Sequence, residues 1–502
     1  MIENSNSEVS TSGNKNETAL IKDNYDGSNY DECDNYDGVD DDKNIQSRNI
    51  EIIERLDDDE IKKLSYFQSL MNFVKACIGT GVFALPIAFK YGGLWISFVY
   101  LAFFGLVTTH AMHLLIKSSR FVSQKANRSG MNYGQVVEEV CLLGPQPIRN
   151  ISKHLKIFTY FILCLTQFGF SASYIVFVAY NVQVVVEEYL PSMQCSTLIY
   201  HSIIALFLIP TLCITHLKTL SFFSLVANIL IALSLGVVLY SCFVGMPPVD
   251  SRQAYGSWKD FPRFFSIASF AFDGTAMIIP TENHIKNPKS LDGTFGIINI
   301  AMLFVTISYL GKVHFISCIS FQHLAQLIGF FGFLKYGEAV KSSVTLNLPN
   351  TIFYNVVRLL LALSIFMSYA IPFYIPINFI WSILQPKLTD RAFFHKFGEY
   401  FLKMFFHVII FAFVVAVPHL ESIIALIGAL FNTPLAIALP ALLDIILCHF
   451  LRSYESLPPI RRPLWLKLKI FKNCFIVFLG TAGTVVGTLV TVVRIVRVSI
   501  NF

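Results

Sequence analysis

Residues 75–86 read KACIGTGVFALP, and residues 270–280 read FAFDGTAMIIP. Each stretch sits inside an apolar run long enough to cross a bilayer, and each interrupts that run with small residues. Gly79, Thr80 and Gly81 break the first; Asp273, Gly274 and Thr275 break the second. Counted along the chain, the interrupted runs are the first and the sixth. The chain therefore reads as five helices plus five, then one more. A Gly-interrupted helix at the same place in each half is the pattern of an inverted-repeat transporter with its site at the midplane.

Unwinding a helix in hydrocarbon leaves N–H and C=O groups unpaired, at several kcal/mol each, unless they line a cavity or meet a ligand. Freed N–H groups at Gly79–Gly81 would open a half-helix and attract an anion such as a carboxylate. Freed carbonyls before Asp273 would receive a cation such as an ammonium. A site offering both suits a zwitterion. The bland alternative is that the glycines only let helices pack closely. The acid beside one break and the Gly-Thr-Gly of the other weigh against it.

The rest of the composition fits. Of 502 residues 54% are apolar and 14% charged, with 47 Phe, whereas a soluble domain carries about a quarter charged residues. Apolar segments fall at about 68–91, 94–116, 155–187, 197–216, 219–244, 262–281, 293–334, 352–383, 399–418, 421–449 and 470–493. Each is long enough for roughly 30 Å of hydrocarbon. The fold class is an all-α membrane protein of about eleven transmembrane helices, with helices 1 and 6 discontinuous. Twenty Lys and Arg fall in the even-numbered loops, among them Lys117, Arg128, Lys153, Arg391, Arg461 and Lys469, against eight or nine opposite. That asymmetry predicts a cytoplasmic N-terminus.

Residues 1–60 hold 18 acidic and 5 basic residues. The segment 1–66 is expected to be an acidic, disordered cytoplasmic tail ahead of a transmembrane domain over 67–502, with no cleavable signal peptide before the first span. Ten scattered cysteines show no metal-ligand spacing. Only Cys195 and Cys242 fall near the outer face, which allows at most one disulfide. Nothing in the composition suggests nucleic acid, and no nucleophile–base pair suggests an enzyme.

Ionisable residues inside spans cost roughly 2.5–3.5 kcal/mol each near the bilayer centre on insertion scales, so the few present are informative: Lys75, His110, Asp273, Arg358 and Asp444. Asp273 is the most central. Lys75 lies about one turn from the first break. Arg358 and Asp444 lie nearer span ends, where such residues snorkel or pair. His110 is the histidine best placed to titrate near neutral pH.

The stretches KACIGTGVFALPIAFKYGG, LTQFGFSASYIVFVAYN, HLKTLSFFSLVANI, GSWKDFPRFFSIASFAFDGTAMIIPTENHIKNP, VTLNLPN and MSYAIPFYIP resemble the proton-assisted amino acid transporter family of the amino acid/auxin permease superfamily. So do PHLESIIALIGALFNTPLAIALPALLD and FKNCFIVFLGTAGTVVGT. The resemblance covers about 67–495. It implies an eleven-helix fold and cotransport of protons with small zwitterionic amino acids. Carried over by position, Gly79, Thr80 and Gly81 would bind the substrate carboxylate, and Phe270, Asp273 and Gly274 the region of its amino group. His110 matches a second-span histidine implicated in proton coupling.

The chain departs from the family pattern at several points. Asn72 stands where members often have histidine, Ala76-Cys77 where they have Gly-Asn, and Asp273 where they have Glu. Thr351 replaces the cysteine that would partner Cys195. Residues 312–327 interrupt the family pattern of the seventh span and read as an insertion.

The expectation is a secondary transporter bringing small neutral amino acids into the cytoplasm, in the plasma membrane or a lysosomal or vesicular membrane. No cofactor is expected; H⁺ is the expected coupling ion, with Na⁺ left open. The alternative is an amino acid sensor that signals to a cytosolic partner through its acidic tail.

Overall fold

Apolar segments cross hydrocarbon as helices because each N–H and C=O then finds its partner within the segment. The computed structural model of the protein follows that rule; it describes residues 63–214, 217–286, 291, 297–298, 321–384, 392–417, 419–454 and 464–500. Among these, nine helices are long and apolar enough to cross a membrane, and Thr197–Cys213 is a shorter apolar one.

The first span is split into α1 (Tyr66–Cys77) and α2 (Leu85–Gly92). The second is α3 (Leu94–Ala126); a short helix, α4 (Tyr133–Leu142), leads into the third, α5 (Ser152–Tyr189). The fourth and fifth are α6 (Thr197–Leu208) and α7 (Leu217–Phe243). The sixth is again split, into α8 (Phe261–Ala271) and α9 (Thr275–His284). Then come α10 (Phe321–Tyr336), α11 (Ile352–Ser368) with α12 (Ala370–Leu384), and α13 (Ala392–Ala416). The tenth span joins α14 (Leu420–Ile427) to α15 (Leu439–Tyr454) through two π-helical turns, Gly428–Asn432 and Pro434–Ala438. The eleventh is α16 (Leu464–Ile500). Each of the eleven expected segments thus contains a helix, and the first and sixth are discontinuous as expected.

The two split spans run antiparallel and are clasped at both ends. Leu64 N–H donates to His284 O at 2.6 Å, and Lys286 N–H donates to Leu64 O at 3.1 Å, tying the start of the first span to the end of the sixth. At the other face Gly256 N–H donates to Gly92 O at 2.9 Å, and Trp95 N–H to Ala254 O at 3.0 Å. Ser65 and Gln68 close a capping box at the start of α1, which satisfies two of the helix's free N–H groups. Corresponding helices of opposite direction are what an inverted repeat requires.

Burial sets the centre and the rim. The sixth span is 94% buried, whereas the ninth and eleventh are each 22% buried. Phe73, Phe83, Phe89, Phe104, Phe177, Phe264 and Phe270 fill the interior, while Phe222, Leu233, Phe471 and Phe478 point outward. Large apolar side chains on the outside are the surface that a bilayer covers.

Arg358 and Asp444 do not snorkel. Arg358 is fully buried and donates to the carbonyls of Thr345 (3.1 Å), Pro349 (3.4 Å) and Leu348, and to Asn355 Oδ1. Asp444 pairs with Lys469 at 2.9 Å and accepts from Asn473 at 2.6 Å. Cys195 and Cys242 are both free thiols, the first exposed and the second buried. Nearly all of the acidic tail, residues 1–62, lies outside the described residues, as do residues 312–320 of the expected insertion. Residues 321–327 begin α10, where Gln326 is buried and donates to Phe98 O at 3.4 Å.

Candidate functional site

The helical ladder of the first span stops where Ile78 N–H donates to Val74 O at 3.0 Å. Ile78 (φ −105°, ψ 85°) and Gly79 (φ −105°, ψ −159°) leave helical geometry, and a 3₁₀ turn at Thr80–Ala84 leads into α2. In the sixth span the ladder stops at Phe272 N–H, bonded to Ala268 O at 3.2 Å, and resumes with Met277 N–H on Gly274 O at 3.0 Å. Gly274 holds φ +134°, a conformation that favours glycine. A Cβ there would also sit 2.6 Å from Cys77 Sγ. Two half-helix N-termini and two C-termini therefore meet in the middle of the protein, offering free backbone donors and acceptors together.

Beside the breaks is a pocket of about 10 Å³, about the room one water needs. Its walls include Ala76, Gln167, Phe170, Tyr174, Asp273, Ala276 and Ile375. Asp273 Oδ1 and Gln167 Nε2 are both buried and neither has a partner at full hydrogen-bond geometry; the two side chains are near enough to interact with each other. One is an acceptor and the other a donor. A buried polar atom left unpaired costs about 1–3 kcal/mol, so two without a full partner beside one pocket mark a place where a ligand would be favoured.

The glycines of the first break are fitted to their neighbours. A Cβ on Gly81 would stand 2.6 Å from Ala271 Cα and 3.0 Å from Phe270 Cδ1, so this glycine lets the two split spans touch. A Cβ on Gly79 would meet Tyr174 Oη at 3.1 Å. Thr80 is buried, and its hydroxyl is 2.9 Å from that of Ser173 on α5. Phe270 lies behind the pocket with its ring 4.5 Å from that of Phe170. Close packing, the reading set aside from sequence, thus accounts for Gly81. Lys75 is buried with its ammonium 3.3 Å from Ser364 Oγ, which itself donates to Ala227 O at 2.7 Å. Asn72, the departure from histidine, is saturated by Leu217 O, Ser221 and Ser224 of α7.

His110 is elsewhere. Met112, two residues on, has its Cε 3.4 Å from where a Gly274 Cβ would be. Two residues of helix turn through about 200°, so His110 faces away from the breaks. Its Nε2 lies 2.7 Å from Lys472 Nζ on α16. Asp444, His113 and Lys117 are the other charged or titratable groups around it.

Gln167, Phe170 and Tyr174 were not singled out from sequence. They recur at positions three, four and seven apart on α5, one face of a helix. That spacing inside LTQFGFSASY was the available signal. A second cavity, of about 170 Å³, lies toward the face where α9 ends and is lined by Asn132, Tyr160, Asn283, His284, Tyr374 and Asn378 among others. Ala276 and Ile375 border both cavities.

Comparison with known proteins agrees with this architecture. The chain is 28% identical over 438 residues to "Proton-coupled amino acid transporter-like protein pathetic" of Drosophila melanogaster, covering 86% of each chain. It is 24% identical to "Probable amino acid transporter skat-1" of Caenorhabditis elegans, covering 86% of this chain and 90% of the relative. Among solved structures, MhsT in complex with L-phenylalanine has a TM-score of 0.54 at 11% identity, covering 86% of this chain and 99% of that one. Mhp1, a nucleobase-cation-symport-1 family transporter, in a closed conformation with bromovinylhydantoin bound, has a TM-score of 0.50 at 12% identity, covering 87% and 92%. These structures share the fold; the family and the two relatives are transporters rather than enzymes. The transmembrane amino acid transporter protein family matches residues 62–493, and the chain belongs to it.

Proposed function

We propose that this protein is a secondary transporter that moves small neutral amino acids into the cytoplasm with protons. The observation that carries the reading is the loosely matched pair of Asp273 Oδ1 and Gln167 Nε2 beside one pocket between two broken helices. A zwitterion offers Asp273 a charged donor in place of its weak contact with Gln167, and offers Gln167 a carboxylate in exchange. The N–H groups freed at Gly79–Gly81 add donors for its carboxylate. Aromatic and aliphatic walls from Phe170, Tyr174 and Ile375 favour a small uncharged side chain.

With the N-terminus in the cytoplasm, as the loop charges suggest, the larger cavity below Ala276 and Ile375 is the way out. Plasma membrane and acidic vesicle both suit such a carrier. For coupling we assign the proton to His110. An ammonium has no acceptor, so the imidazole must accept from Lys472, which only a neutral ring can do. Protonation breaks that bond and sets two like charges against each other, with Asp444 as the nearby counter-charge. The second span then parts from the eleventh, and α3 carries the change to Met112 beside Gly274. A pH unit supplies about 1.4 kcal/mol per proton and 100 mV about 2.3 kcal/mol. Together these sustain roughly a few hundredfold accumulation.

The test is uptake of labelled amino acids by the purified protein in liposomes, with and without a pH step and with sodium replaced. Acid-stimulated, sodium-independent uptake of small neutral amino acids is expected. Transport that stops on sodium removal and ignores pH would overturn the coupling. Binding without any net flux would overturn the carrier reading.

A further inference from the structure

At the face where α2 ends, α8 and α16 enclose a cleft of about 360 Å³ lined by Lys259, Asp260, Arg263, Arg494 and Arg497. Two of its four cations are matched. Arg494 pairs with Glu421 and donates to Tyr91 Oη at 3.0 Å, and Arg263 pairs with Asp260 at 3.2 Å. Lys259 and Arg497 have no ion pair among the described residues, and Arg263 Nε is buried with no acceptor. The cleft thus holds two unmatched positive charges, with an unspent donor buried behind them. Its remaining wall is apolar. Leu489 and Val493, 61% and 48% exposed, lie on α16 at spacings of four below Arg497. That stripe runs about 12 Å down the helix, from headgroup depth into hydrocarbon.

We propose that this cleft binds the phosphate headgroup of an anionic phospholipid. Lys259, Arg263 and Arg497 hold the phosphate, and an acyl chain lies along Val493 and Leu489. A free phosphate would satisfy the cations alone; Val493 and Leu489 belong to the outward face that the bilayer covers, which sets an acyl chain directly beside the cations and favours the lipid as occupant. Basic pockets between transmembrane helices hold such headgroups on the cytoplasmic or matrix side of membranes; with the N-terminus in the cytoplasm, this cleft would apply the same chemistry to the opposite leaflet. The bound lipid bridges the eleventh span to α8, the half-helix that ends at the Asp273 break, and so restrains the element that carries the site.

The test is native mass spectrometry of the purified full chain titrated with phosphatidic acid, with phosphatidylcholine and inorganic phosphate as separate arms. One tightly bound phosphatidic acid is expected, preferred over phosphatidylcholine and not displaced by millimolar phosphate. The double variant Lys259→Gln/Arg497→Gln should bind it about thirtyfold more weakly, at about a kcal/mol per cation. Both side chains are exposed, and an unchanged elution profile and melting curve would show that the variant is folded. Val493→Ser should weaken the lipid as well. Equal binding of the two lipids, or unchanged affinity in the folded double variant, would overturn the site. Displacement by phosphate, with Val493→Ser unchanged, would make it a free-anion site and overturn the lipid assignment.

Discussion

The two helix breaks look alike in sequence and differ in what their side chains leave unsatisfied. At the first, Gly81 is pressed against Ala271, Gly79 against Tyr174, and the Thr80 hydroxyl is engaged by Ser173. At the second, Thr275 Oγ1 is buried with no partner, Asp273 Oδ1 has only a weak contact with Gln167, and Gly274 holds a positive φ. The first break is a fitted joint with its one polar side chain engaged. The second keeps side-chain hydrogen-bonding capacity in reserve. A glycine-interrupted helix in hydrocarbon thus marks either close packing or chemistry, and here each break is weighted toward one of them.

If that contrast is right, substitutions should divide along it. The largest effect belongs to the joint. Gly81→Val puts a side chain into the Ala271 backbone, and overpacking a rigid contact costs about 1–3 kcal/mol or more. Uptake per molecule at the surface should fall by roughly a hundredfold at the upper end of that cost, with Gly81→Ala already impaired. Wild-type uptake by Gly81→Val would mean that the spans do not meet there.

Next is the reserved acceptor. Asp273→Asn keeps the shape and removes the charge proposed to face a substrate ammonium, a bond worth about 1.5–3 kcal/mol. KM should rise roughly ten- to a hundredfold with acid stimulation retained, measured as initial rates at several pH values. Loss of the pH response with KM unchanged would exchange the roles of Asp273 and His110.

Gln167→Leu sharpens the comparison from the opposite wall. Removing a neutral donor of similar size should raise KM by about three- to tenfold. An unchanged KM would show that Gln167 does not face substrate.

The smallest effect on affinity is expected at His110, which lies outside the pocket. His110→Ala should flatten the acid stimulation of uptake while changing KM by less than about twofold. Lys472→Met removes the cation that repels a protonated ring, and should shift the midpoint of acid stimulation to higher pH. A midpoint unmoved in Lys472→Met, together with intact stimulation in His110→Ala, would remove this pair from coupling.

Sequence alone determined the spans and the split in the first and sixth of them. It did so because hydrocarbon allows few alternatives: apolar length fixes a crossing, and a glycine pair in one span or an acid beside glycine in another has few reasons to exist at mid-span. It also singled out Asp273, since charge is scarce where insertion is costly. Tertiary structure decided what the marked residues touch. Gly81 meets Ala271 across nearly two hundred residues of chain, and His110 meets Lys472 on the last helix; neither approach leaves a local signal. Gln167 and Tyr174 join the pocket only because α5 crosses beside both breaks. Periodicity says which residues share a face of a helix. Which neighbour that face meets is settled by how the helices pack, and packing depends on contacts between residues far apart in the chain.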